Sequence, residues 1–205
     1  MKRFYEKADP IATDDGFTVL LDGRPIKTPA KAPLILPTLA LASEIASEWD
    51  IQEETVKPFT MPAMRYAATA IDRVVPQREA VIAEISGFGE TDLVCYRATY
   101  PTHLVKLQSD AWDPLVSWIK EMHGISLQVV EGVGYVAQDG GSLKKMRQIV
   151  EEQSNLHLAA LHDVVSLTGS LVVTLAVLGR ELDAERAFEV SELDETHVID
   201  EWGED

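Results

Sequence analysis

The side chains best able to do chemistry in this chain are few, and their spacing argues against most catalysis. Five histidines stand at positions 103, 123, 157, 162 and 197. His157 and His162 are five residues apart. On a helix they diverge by more than a quarter-turn and make a poor metal pair without ligands from elsewhere. Asp163 beside His162 could orient an imidazole. Together with Asp92, these residues are the raw material for an acid–base pocket that has no short signature. The single cysteine, Cys95, excludes an internal disulfide and a thiolate metal cluster. Its neighbours Leu93, Val94 and Tyr96 predict a buried, inert thiol. Glycine-rich dinucleotide and phosphate loops, His-Glu-x-x-His and Gly-x-Ser-x-Gly are all missing from the sequence. No cofactor and no catalytic residue is therefore expected. Lys144, Lys145 and Arg147 open a predicted helix; they could hold an anion, but they answer the surrounding acid more simply.

Glu195 is the acidic residue that stands out. Ser191 and Asp194 approximate a capping box and predict a helix starting at Ser191. On that helix Glu195 lies one turn before Val198 and Ile199 and two turns before Trp202. It shares their apolar face. A carboxylate in an apolar stripe is hydrogen-bonded, ion-paired, or kept for an exposed contact. One reading is an internal salt bridge to another helix. The other is a carboxylate that meets a partner's Arg or Lys, with Trp202 as an aromatic anchor. The candidate partner-binding residues are Asp194, Glu195, Ile199 and Trp202.

The wider charge pattern frames this choice. The chain of 205 residues carries a formal charge of −16. Residues 1–75 hold nine basic and eleven acidic side chains, a net of −2, whereas residues 76–205 hold nine and twenty-three, a net of −14. Such a surface repels phosphate backbones and anionic lipid, so no nucleic acid is expected as a partner. Glu181–Asp205 alone contains eleven acids and one base, Arg186, yet keeps apolar residues at helical spacing. A disordered acidic adaptor is the alternative reading of that segment. The longest apolar run, Leu171–Leu178, is far too short for membrane insertion. The start, Met1-Lys2-Arg3-Phe4, lacks the apolar core of a signal peptide, and a cytoplasmic protein is expected.

The elements follow from periodicity and punctuation. Phe17, Val19 and Leu21 alternate in a strand that turns at Asp22-Gly23, with a second turn at Asp14-Asp15-Gly16. Leu34-Ile35-Leu36 reads as a brief strand. A helix starting near Thr38 presents Ala42, Ile45, Ala46 and Trp49, with Glu44 and Glu48 facing elsewhere. A second runs from Ala63 to Val74 and ends at Pro76, where the domain boundary is placed. Beyond it the chain reads as mainly helical: 77–88, then His103–Met122 with a break at Asp113-Pro114, a helix capped by Ser142, then 155–167 and 170–178. Leu127–Val130 and Val133–Val136 are weak strand candidates. The expected fold class is α+β: a small β-containing domain, 1–75, followed by a helical domain, 76–205.

Several fragments in fixed order give the chain a family likeness: Arg3-Phe4-Tyr5, Leu21-Asp22-Gly23-Arg24-Pro25-Ile26-Lys27-Thr28-Pro29, Glu48-Trp49-Asp50-x-Gln52, Met61-Pro62, Ala70-Ile71-Asp72, Thr91-Asp92-Leu93-x-Cys95-Tyr96-Arg97, Gln108, Trp112-Asp113-Pro114, Thr168-Gly169-Ser170 and Glu195…Trp202-Gly203. The chain resembles the assembly chaperones that hold the alpha subunit of the ATP synthase catalytic head, the ATP-twelve family, over almost its whole length. The resemblance implies a non-enzymatic chaperone that shields an interface of the free alpha subunit. It implies the two-domain layout drawn above, and a late carboxylate important to function, for which Glu195 is the matching position. His197 departs from it, since relatives carry a large aromatic there. The chain starts at the family's first motif, as a bacterial cytoplasmic member would, and is expected to be monomeric when free.

Overall fold

The first turn signals work as their chemistry requires. A computed structural model describes residues 2–203; Met1 and the last two acids of the terminal segment, Glu204 and Asp205, lie outside the described residues. Strands β1 (Ala8–Thr13), β2 (Gly16–Leu21) and β3 (Arg24–Pro25) form an antiparallel sheet in that order. Leu21 pairs with Arg24, so Asp22 and Gly23 alone make the turn, with φ of 47° and 80°. Two left-handed residues give the twist that two-residue hairpins need. Gly16 is required for another reason: a Cβ there would lie 2.6 Å from the Leu36 carbonyl oxygen, and its φ is +142°. Leu34–Leu36 is not a strand. Leu36 makes one bridge, to Phe17, and Pro33 makes one to Lys27. The flanking prolines lack the N–H groups a ladder would use.

Helix α1 (Leu39–Asp50) is capped by Thr38, whose side chain accepts from the Leu41 N–H at 3.2 Å. Ala42, Ile45, Ala46 and Trp49 are buried with Val19, Leu21 and Leu36 in one core. Glu48 does not face outward as helix phase predicts; it is 5% exposed. Its carboxylate accepts from Ala63 N–H at 2.6 Å and Met64 N–H at 2.8 Å, the free donors at the start of α2 (Pro62–Thr69). A helix start supplies both the orphan donors and the positive dipole end that hold a buried anion. Pro76 does not end the helix. A wide π turn over Ala70–Val74 leads into α3 (Val75–Gly87), which is kinked at Gln77 (φ −127°, ψ 24°). The proline is accommodated in this irregular stretch, where its missing N–H is not needed by a regular ladder.

The chain groups into two compact units. One runs to Arg78 and includes Ser154–Ala159; the other holds Glu79–Gln153 and Ala160 onward. The second is largely helical. A two-stranded parallel pair, β4 (Tyr96–Arg97) with β5 (Val130–Glu131), is its sheet among the described residues, and Val133–Val136 is not extended into a strand. Helix α4 (Thr102–His123) runs unbroken through Pro114. Asp113 is not a cap there: its carboxylate takes the Arg97 guanidinium at 2.8 Å. The cap of α5 (Gly140–Glu151) is Asp139 rather than Ser142, accepting from Ser142 N–H at 2.7 Å, while the Ser142 hydroxyl donates to the Ser126 carbonyl. Helices α6 (Asn155–Thr168) and α7 (Leu171–Leu178) meet at left-handed Gly169. In α7 every residue from Leu171 to Ala176 is buried. Two amphipathic helices, α8 (Ala184–Ser191) and α9 (Leu193–Trp202), complete the unit. The architecture is thus α+β, a small N-terminal sheet region followed by a predominantly helical part. No helix among the described residues is long and apolar enough to cross a membrane.

Candidate functional site

Among its described residues the acidic C-terminal segment folds into helices α8 and α9, and helix phase decides which side chains α9 leaves exposed. Ser191 does not open the last helix. It ends α8, its hydroxyl donating to the Phe188 carbonyl at 3.0 Å. Glu192 occupies the N-cap position of α9 without a side-chain capping bond. The cap falls one position later than the Ser191 signal because α8 and α9 abut with a single residue between them.

One face of α9 is fastened to the unit. Asp194 accepts from the Gln108 side-chain amide at 2.7 Å, and the Gln108 side-chain oxygen in turn accepts from Ala98 N–H. His197 Nδ1 lies 3.2 Å from His103 Nε2, with the rings edge to face. Further back, the Trp112 indole N–H donates to the Val190 carbonyl at 2.7 Å, which anchors α8 to α4. Trp112 is fully buried, and the Arg97 guanidinium lies 5.3 Å from its ring centroid. Beside this fastening, His103, Leu107, Phe188, Leu193, Thr196 and His197 line an open cleft of about 490 Å³.

The adjoining face of α9 is bare. Glu195, Val198, Ile199 and Trp202 succeed one another at helical spacing and are all exposed, Trp202 to 85%, Val198 to 54% and Ile199 to 44%. Glu195 makes no hydrogen bond or ion pair among the described residues, so the internal salt bridge is not formed. An exposed tryptophan thus stands beside two exposed aliphatic side chains and a carboxylate on one stretch of surface. Of the four sequence-predicted residues, Glu195, Ile199 and Trp202 share this face. Asp194, one turn before Val198, borders this face and is held by Gln108, which fixes the helix in place.

Of the residues of the alternative acid–base pocket, His162 and Asp163 meet, with Nδ1 and Oδ1 3.9 Å apart. Asp92 is fully buried, and His157 and Asp163 are exposed. His162 turns its Nε2 toward Glu84 at 3.3 Å. The Asp92 carboxylate is spent on structure. It accepts from the Ser170 hydroxyl at 2.6 Å, from Val172 N–H at 2.9 Å and from Val94 N–H at 3.2 Å, closing the start of α7 and of the short helical turn Leu93–Cys95. Burial pushes its pKa up to about 6, against the lowering effect of those hydrogen bonds. Cys95 is buried as expected, and desolvation with the nearby Asp92 charge pushes its thiol up to about 12. The Lys144–Arg147 cluster answers neighbouring groups: Lys145 donates to the Gly124 carbonyl at 2.6 Å, and Arg147 pairs with Glu79 and Glu151.

Comparison with known proteins identifies the family. The family model described as ATP12 chaperone protein matches residues 2–120. The crystal structure of Atp12 from Paracoccus denitrificans is 42% identical, with a TM-score of 0.97, covering 100% of this chain and 88% of that one. A candidate chaperone from Agrobacterium tumefaciens is 41% identical with a TM-score of 0.94, covering 100% of this chain and 77% of that one. The mitochondrial protein atp12 of Schizosaccharomyces pombe is 24% identical over 214 residues, 98% of this chain and 74% of that protein. With a family match over more than half its length and solved relatives across all of it, the chain belongs to the ATP12 chaperone family, and it is a non-enzymatic chaperone of ATP synthase assembly.

Proposed function

We propose that the chain binds the free alpha subunit of the ATP synthase catalytic head and covers its assembly interface, acting as a monomer in the bacterial cytoplasm. It holds its client without nucleotide turnover. The observation that carries the reading is the bare face of α9. Trp202, Ile199 and Val198 supply apolar area for an interface the client would otherwise expose, and Glu195 supplies a charge that meets a client Arg or Lys. Asp194 acts indirectly, by fixing the helix that presents them. The excess of acid in the second unit speeds encounter with a basic surface and penalises misdocking.

The test is co-purification with separately expressed alpha and beta subunits. Retention of alpha alone is expected; retention of beta but not alpha overturns the assignment. Glu195→Gln is expected to weaken client binding by about tenfold or more, the loss of one charge-assisted contact, while leaving the unfolding temperature unchanged, because the side chain has no partner to lose among the described residues. Equal losses in binding and stability would make Glu195 a structural residue and refute its role on the surface.

A further inference from the structure

The fastened face of α9 carries a constellation that the proposed client contact does not include. His103 from α4, and His197 and Glu201 from α9, each offer one ligand atom, and the three atoms lie within 4.8 Å of one another. His103 Nε2 is 3.2 Å from His197 Nδ1 and 3.8 Å from Glu201 Oε1. Two imidazole nitrogens on one tetrahedral zinc, each about 2.0–2.1 Å from the metal, stand about 3.3 Å apart. The ring nitrogens are therefore already at coordination spacing. His197 and Glu201 are four residues apart, so they sit one above the other on the same side of α9. The site opens into the cleft that Asp200 and Glu189 also line, which leaves a fourth position for water and adds negative charge around a cation.

We propose that His103, His197 and Glu201 form a binding site for one divalent transition-metal ion of the zinc class, which clasps α9 onto α4. Two neutral imidazoles and one carboxylate form a donor set that suits zinc and disfavours the all-oxygen preference of magnesium or calcium. In the metal-free chain the same two rings share a hydrogen bond, which holds the ligands near their places. The ion bridges residues 94 positions apart in sequence and fixes the helix whose outer face carries Glu195 and Trp202. The proposal does not depend on the identity of the client.

The experiment uses the full chain without an affinity tag, stripped by chelator and titrated with Zn²⁺ by calorimetry and with Co²⁺ by visible absorption. One ion per chain and the intense cobalt bands of a four-coordinate site are expected. His103→Ala and His197→Phe should each weaken binding by about tenfold or more, as loss of one of three protein ligands requires, and His162→Ala should not change it. Zinc should also shift the imidazole resonances of His103 and His197, and slow amide exchange along α9. Absence of saturable binding, or binding that survives in the His103→Ala/His197→Phe double variant, overturns the site. Metal binding with unchanged exchange in α9 overturns the clasp.

Discussion

Asp92 offers a sharp quantitative test, because two opposing effects on its carboxylate predict opposite pH dependences. The side chain is fully buried, which disfavours its ionised form, yet it accepts hydrogen bonds from one hydroxyl and two backbone N–H groups, which favour that form. Desolvation is the larger effect, and it pushes the pKa to about 6 from an unfolded value near 3.8. With the folded value raised, the group's favourable contribution is fully present below the unfolded pKa and is lost as pH rises through about 6. Between about pH 7.5 and pH 5 the wild type should therefore gain about 1.4 kcal/mol relative to Asp92→Asn, which cannot take up that proton. For a chain of this length that is roughly 3–6 °C in unfolding temperature. The assay is denaturant unfolding of both proteins across that window. Titration of the other acids is common to the two and cancels in the difference. A difference independent of pH would mean that burial and the hydrogen bonds balance. A wild type that loses ground as pH falls would mean that the three donors outweigh burial. Either result refutes the reasoning.

Two further substitutions test the first unit. Glu48→Gln replaces one carboxylate oxygen with an amide N–H, which then faces a donor from Ala63 or Met64. The loss is expected to be roughly 2 kcal/mol, or about 4–8 °C by calorimetry; a wild-type melt would show that the carboxylate does not cap α2. Gly16→Ala puts a methyl group 2.6 Å from the Leu36 carbonyl oxygen at a φ of +142°. It should cost about 1–3 kcal/mol in urea unfolding, and unchanged stability would show that the strand connection yields freely.

The features legible in the sequence are those whose causes are local. The Asp22-Gly23 hairpin, the helix start near Thr38 and the buried stripe of α1 each depend on residues within a few positions of one another. The misreadings have distant causes. A helical wheel places Glu48 outside because it sees only α1; the donors that bury the carboxylate belong to another helix, fifteen and sixteen residues on. Asp113 looks like a cap before a proline until Arg97 claims its carboxylate. Ser142 looks like a cap until Asp139 takes that position and the Ser142 hydroxyl turns to Ser126. On α9 the phase of Glu195 with Val198, Ile199 and Trp202 is readable from spacing, whereas the inward turn of Asp194 depends on Gln108, 86 residues away. His197 and Glu201 stand at a metal-type i, i+4 spacing on one helix, but nothing local announces His103 as the third member.

The motif residues and the proposed contact residues also obey different constraints. Arg3 gathers the carbonyls of Tyr5, Glu6, Asp50 and Gln52 with one guanidinium. Asp72 takes the Thr28 hydroxyl at 2.6 Å and the Ala30 N–H at 2.9 Å. Gln52 ties Lys57 to the end of α1. Each motif is a latch whose geometry tolerates little change in type or spacing, because a mispaired buried donor costs more than the bond contributes. The face of α9 needs only exposure, apolar area and one well-placed charge. It also lies beyond residue 120, where the family match ends. A latch substitution should therefore lower stability and client binding together, since a loosened unit presents its surface poorly. A substitution at Trp202 or Glu195 should lower binding alone. The ratio of the two losses, measured for each variant, sorts architecture from contact wherever on the chain the client docks.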